Sequence, residues 1–388
     1  MTLAEELDKA VLQGMDPEVT MTIPVKLDRV SRHVQIAKNR MIVLGGEPTA
    51  GKTSCCQSTF IVDPIEWYLK NKPKGMKLSV ISFLMERKMV EYTARWVARK
   101  IYEDTGEDLS SKRILGRDDD YKLTKSQYEL IRSYYKMLDE WQADDLLISI
   151  PGSHNPTGIK MYIDAFAKKH GTIHKKDRTD KSMENILAGD VYEPNHPNHI
   201  VLIIGDNASV LDEEQDLTQK GLVDMFNRTM KNARDIYGFS PVVVQHLNRD
   251  ISGTQRQKLG ELKPKLSDFA DSSMTQKCAD VVLALLNPAS HITKESGTNY
   301  LGYDVGRMND EIGLNYFRSL HILKNNFGGE NLSYPLGIHP TYGIMKILPR
   351  IDREETVSDS IYSNVTSGRF FLPEQEQIQY NRTKSILL

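Results

Sequence analysis

The sequence predicts an α/β fold: a mostly parallel sheet with helices on both faces. Three observations predict it. Runs such as MIVLG (41–45), KLSVISFLM (77–85) and HIVLIIGDN (199–207) are apolar without alternation, as strands buried on both faces must be. Stretches of helical period stand between them, the alternation that builds a parallel sheet. Polar residues close several of the apolar runs, at the strand ends where open α/β sheets take their ligands.

Residues 2–14 carry Leu3, Ala4, Leu7, Ala10 and Val11 at helical spacing and end at Gly14, a plausible C-cap. Such an amphipathic helix packs either on its own domain or on a neighbouring subunit. Strand 41–45 leads through a glycine-rich turn into a helix over about 52–70, where Cys55 and Cys56 read as small buried residues. Strand 77–85 precedes a helix over 87–104 and a charged loop, EDTGEDLSSKRILGRDDD. One long helix is expected over 124–143, then a strand in DDLLISIP and a helix in TGIKMYIDAFAKKHG closed by Gly171. Residues 172–198 read as an exposed polar insertion. After strand 199–207 come a helix over about 218–238 and a strand in SPVVVQHLN. RDISGTQRQKLGELKPK (249–265) reads as a mobile basic loop. DVVLALLNP, RSLHILKNN and YGIMKIL supply later strands, and the tail from about 351 is polar without periodicity.

The chain has 388 residues, 39% of them hydrophobic, which is ample for a real core. Lys+Arg (50) and Asp+Glu (52) nearly cancel, so any nucleic-acid contact must come from a local basic surface. Three cysteines exclude a disulfide scaffold, and no Cys/His spacing suits zinc. The charged start MTLAEELDKA lacks the apolar region of a signal peptide, and no apolar run reaches membrane length. A cytoplasmic, reducing location is expected.

GGEPTAGKTS contains Gly46-x4-Gly51-Lys52-Thr53, a full match to the P-loop pattern, and it follows a strand and precedes a helix. Its glycines let backbone N–H groups turn toward phosphate, and the helix adds its positive N-terminal end. Gly46, Pro48, Thr49, Ala50, Gly51, Lys52, Thr53 and Ser54 are therefore the expected ATP-binding residues. Thr53 is expected to ligate Mg²⁺, together with Asp206 at the tip of HIVLIIGD, the Walker B acid. In a RecA-like core, Glu86 at the end of KLSVISFLME aims at the water that attacks the γ-phosphate and is the general-base candidate. His246, closing SPVVVQH, is placed to sense that phosphate; strand alternation turns either His246 or Gln245 toward it.

From these residues the chain resembles the RecA-like motor domain of DnaB-type replicative helicases, phage versions included, over roughly residues 20–348. In order, the likeness runs through IPVKLDRV (23–30), the P-loop, VISFLME, LLISIPGSHNPTGIKMYIDAFAKKHG (146–171), VLIIGDN, PVVVQHLNR (241–249) and KPKLSDFADSSMTQKCADVVL (263–283). The last block is the most specific and corresponds to the family's DNA-facing loops. The resemblance implies a homohexameric ring with ATP held between subunits, translocating on single-stranded DNA, with a primase or loader as a further partner. It implies Glu86 as the catalytic glutamate, Asp206 as the Walker B acid and His246 as the γ-phosphate sensor. Phage members have His at that last position and bacterial ones Gln.

Carried over in the same way, Lys324 is the lysine of the family's K-x-R-N-G motif, whose Arg reaches a neighbour's site. Here Asn326 replaces that Arg, so Lys324, Arg318, Arg350 or Arg353 would have to substitute. The family's DNA-contacting Arg-Glu-Ser-Gly reads Ala270-Asp271-Ser272-Ser273. Arg249, Arg256 and Lys258, with Asp271, Ser272 and Ser273, are the expected DNA contacts, aided by Lys263 and Lys265. The expected organisation is a docking helix in 1–20, the motor in 21–350 and a tail in 351–388. A RecA-like DNA-binding ATPase without unwinding, a recombination mediator or loader, is the alternative that the missing Arg residues favour.

Overall fold

The computed structural model describes residues 2–16, 20–86, 88–152, 154–175, 190–248, 256, 262–269, 273–291, 298–351 and 357–373. Nine strands make one sheet: β1 (Ile42–Gly46), β2 (Lys77–Leu84), β3 (Leu147–Pro151), β4 (His199–Asp206), β5 (Ser240–His246), β6 (Val281–Leu286), β7 (Phe317–Asn325), β8 (Leu332–His339) and β9 (Ile344–Ile347). Their order is β9-β8-β7-β6-β1-β5-β4-β2-β3. From β6 to β3 every pairing is parallel; β7, β8 and β9 extend the β6 edge antiparallel. This is a RecA-like α/β core, as the apolar runs predict.

Both faces of the sheet are covered. All eight residues of β4 are buried, and alternate strand residues feed two cores. Leu44, Ile204 and Val244 join Phe60 on one face, while Val43, Ile203 and Val243 join Phe226 on the other.

The helix after the P-loop runs Lys52–Gln57, widens to a π turn over Ser58–Val62 and resumes as Asp63–Asn71. Pro64 lacks the N–H that Phe60 would accept, so the ladder must rearrange there. Arg99, buried on the helix Met89–Thr105, clamps the widened turn. It donates to Ser58 Oγ (2.8 Å), Asp63 Oδ1 (2.7 Å) and Glu103 Oε1 (3.0 Å).

Several elements differ from expectation. The helix over 124–143 is two, Lys125–Ser133 and Tyr135–Gln142. Near the break, Ser133 Oγ donates to the Leu130 carbonyl, a local competitor to the helical ladder. Gly171 is no left-handed cap: it is extended and starts a strand, Gly171–His174, paired with Val191–Pro194. A Cβ there would lie 2.5 Å from the Glu193 carbonyl and the Tyr192 ring, so close pairing, rather than a turn, demands the glycine. The helix Leu3–Met15 runs one residue past Gly14. Strand β8 carries Pro335 and Gly337, which hide it from pattern reading. The Pro335 carbonyl accepts the Leu348 N–H, so its own nitrogen faces the point where β9 has already ended. Past residue 350, Asp359–Thr366 is helical, and Tyr362, Val365 and Phe371 join a third core with Tyr303 and Phe317. No helix among the described residues is long and apolar enough to cross a membrane.

Candidate nucleotide site

Register alone lines up the candidate residues. Gly46 at the end of β1 pairs with His246 at the end of β5. Asp206 at the end of β4 pairs with Leu84 of β2, two residues before Glu86. Strands β1, β5, β4 and β2 are neighbours in that order, so their tips form one rim.

On that rim the loop 46–53 is tightly held. Gly51 has φ 95°, a left-handed conformation that glycine takes without strain, and the helix starts at the next residue. A Cβ on Gly46 would lie 2.8 Å from Lys52 Cγ and 2.9 Å from the Leu285 carbonyl. Pro48 and Thr49 are exposed at the loop's tip, Ala50 is buried, and Ser54 Oγ accepts from Arg95 at 3.0 Å. Lys52 is buried; its Nζ donates to the Glu47 carbonyl at 2.8 Å and stands 3.0 Å from His246 Nδ1. Burial lowers its ammonium to about 8, against the pull of Asp206, Glu86 and Glu47.

Asp206 Oδ1 accepts from the Thr53 hydroxyl at 3.3 Å, while its buried Oδ2 has no hydrogen-bond partner among the described residues. Burial first, and the charge of Glu86 second, push its carboxyl up to about 7. An orphan carboxylate oxygen beside a threonine hydroxyl is a donor set for a hard divalent cation, so these residues fit Mg²⁺. Glu86 Oε1 accepts from Asn207 Nδ2 at 3.0 Å, and the same amide nitrogen is 2.9 Å from His246 Nε2. Gln245 does not join this cluster. It is buried with both amide atoms unpartnered, and alternation sends its neighbour His246 to Lys52 instead.

Three expected residues sit elsewhere. Arg318, suggested above as a finger for a neighbour, is buried in its own chain, where its Nε donates to the Ala50 carbonyl at 2.9 Å. Its Nη1 meets the Phe317 carbonyl at 2.6 Å, so the side chain is spent as a prop beneath its own P-loop. Lys324 does not reach its own chain's P-loop. It pairs with Val282, level with Val43 and three residues short of Gly46, and its Nζ caps the carbonyls of Gln276 and Ala279. Arg256 is no free cation for phosphate: Nη1 binds Asp268 at 2.8 Å and Nη2 the Lys263 carbonyl at 2.9 Å. Arg249, Lys258, Asp271, Ser272 and Arg353 lie outside the described residues; Ser273 begins the helix Ser273–Cys278.

No protein-family model matches the chain, and no curated protein does. Solved structures do. The ATPase domain of a phage helicase superposes with a TM-score of 0.61 over 90% of this chain and 99% of that one, at 14% identity. The fold is that of a DnaB-like helicase ATPase domain. A second structure, "The Structure Of A DnaB-Like Replicative Helicase And Its Interactions With Primase", gives 0.58 over 90% of this chain and 68% of that one, at 13% identity. Within the DnaB-like fold, two features of this chain had no signal in the pattern of its sequence. Asn207 is one; only its place directly after Asp206 could have drawn attention to it. Arg318 is the other, since nothing local tells a strand arginine which carbonyl it will meet.

Proposed function

We propose that this chain is an ATP-hydrolysing motor of the replicative helicase kind, phage-like, which works as a homo-oligomeric ring on single-stranded DNA and displaces the other strand. The observation that carries this reading is the gathering of Lys52, Thr53, Asp206, Glu86 and His246 on one rim of the sheet. The loop N–H groups and Lys52 hold the β- and γ-phosphates of ATP. Thr53 and Asp206 hold Mg²⁺, which when bound offsets phosphate charge. Glu86 takes the proton of the attacking water, and His246 bonds the γ-phosphate.

Ring assembly has two supports. Leu3, Leu7, Val11, Leu12 and Met15 on the first helix are all exposed, which suits docking on a second copy rather than on its own domain. Lys324 stands at the end of β7 remote from its own P-loop, as suits a residue used across a subunit boundary. DNA contact falls to the loop regions 249–265 and 270–273, and a primase or loader is a fitting further partner.

One observation favours the rival, a DNA-binding ATPase that does not unwind. Asn326, at the finger position, donates to Asp280 of its own chain at 3.2 Å and brings no cation. A forked-DNA strand-displacement assay with wild type and Lys52→Ala decides between them. Unwinding that depends on Lys52 supports the helicase; DNA-stimulated hydrolysis without unwinding supports the rival.

A further inference from the structure

Asn207 is buried at the exit of β4, and its amide is shared among three partners. Its Oδ1 accepts the Ser209 backbone N–H at 3.0 Å. A backbone N–H can only donate, so this bond settles which end of the amide is which. The two hydrogens of Nδ2 then face Glu86 Oε1 at 3.0 Å and His246 Nε2 at 2.9 Å.

That arrangement constrains the imidazole. Nε2 must accept, so a neutral His246 carries its proton on Nδ1. Nδ1 stands 3.0 Å from Lys52 Nζ, whose ammonium offers donors only. Two donors therefore confront each other across the mouth of the P-loop. An oxygen with several lone pairs, placed to accept from both, resolves the conflict, and a phosphate oxygen is such an acceptor.

We propose that Asn207 is a positioning residue: it fixes His246 as an Nδ1–H donor toward the terminal phosphate and ties Glu86 to the same amide. Gain or loss of that phosphate at His246 is thereby felt at Glu86. A role in folding alone would need only Oδ1, as the cap of the turn at Ser209; the two bonds from Nδ2 are what set this residue apart. The inference rests on the reading of the rim as an ATP-hydrolysing site.

The test combines kinetics with a spectroscopic signature. Asn207→Asp keeps the acceptor for Ser209 and replaces the donating end with another acceptor. It is expected to leave MgATP affinity within about threefold and to lower kcat by about 100-fold or more, the scale of lost general-base alignment. In ¹⁵N spectra of histidine-labelled wild type, with His246→Gln assigning the signal, His246 is expected as the Nδ1–H tautomer. In Asn207→Asp it is expected to switch to Nε2–H. The wild-type spectrum stands even if the variant folds poorly, and Asn207→Ser supplies a second variant that removes both Nδ2 bonds. An Nε2–H tautomer in wild type, or a variant with wild-type kcat, or one in which binding and turnover fall together, overturns the role of Asn207. Wild-type protein that does not hydrolyse MgATP overturns the site reading instead.

Discussion

Arg318 donates its Nε–H to the carbonyl of Ala50, 2.9 Å away inside the P-loop of its own chain. Burial lowers this guanidinium to about 10, which still leaves it cationic at neutral pH. Its removal should leave the loop unsupported. Arg318→Ala is expected to weaken MgATP binding by about tenfold or more in dilute, unassembled protein, as loss of a charge-assisted hydrogen bond implies. A finger serving a neighbour would leave single-chain affinity unchanged and lower only turnover in the assembly, so titration calorimetry at low protein concentration separates the two.

Gly45 is where the P-loop strand meets the KPKLSDF block. A Cβ at Gly45 would lie 2.4 Å from the Phe269 ring and 2.9 Å from Leu247. Gly45→Ala should therefore overpack the site and cost about 1–3 kcal/mol in urea unfolding. Phe269→Ala alone should cost about 3–5 kcal/mol. Because the two share one space, the double variant should lose clearly less than the sum, and simple additivity would show that they are independent.

The P-loop itself was legible because its phosphate ligands come from one contiguous segment with fixed backbone demands. The parallel strands were legible because burial on both faces leaves no room for polar alternation. Glu86, Asp206 and His246 could be placed near one another because each closes such a strand, and parallel register aligns strand ends. Long-range pairing was not legible. Arg256 and Arg318 looked like available cations, yet each is consumed by partners distant in sequence. Strand β8 was hidden because Pro335 and Gly337 are disfavoured in strands, and only the length of β9 makes that proline harmless.

Arg99 joins the π turn after the P-loop to the helix after Glu86, and it is buried together with Asp63 and Glu103. Arg99→Met would strand both carboxylates in the interior, at a cost of about 3–5 kcal/mol. A thermal midpoint lower by roughly 10 °C is expected. Adding Asp63→Asn should recover part of the loss, and no recovery would mean that the aliphatic packing of Arg99 matters more than its charge.

His321 lies inside the sheet between Ser319 Oγ (2.8 Å) and Ser333 Oγ (2.9 Å). Burial lowers its imidazole to about 3, while an unfolded chain titrates it near 6.5. The unfolded state therefore takes up the proton first, and stability contributed by the neutral form is lost as pH falls from about 6.5 toward 3. His321→Gln does not titrate, so its unfolding free energy should decline less steeply below pH 6.5, by up to about 1.4 kcal/mol per pH unit. Equal slopes in urea melts at pH 7.5, 6 and 5 would contradict this.

Equilibrium binding of a fluorescent ATP analogue with Mg²⁺, compared across wild type, Lys52→Ala and Glu86→Gln, tests most directly whether the rim around Lys52 is a nucleotide site. Wild type and Glu86→Gln are expected to bind alike, with turnover lost only in Glu86→Gln, while Lys52→Ala binds about 100-fold more weakly or not at all. Wild-type protein that takes up no nucleoside triphosphate, or that binds no better than Lys52→Ala, would contradict the proposal that this rim is where the motor holds its fuel.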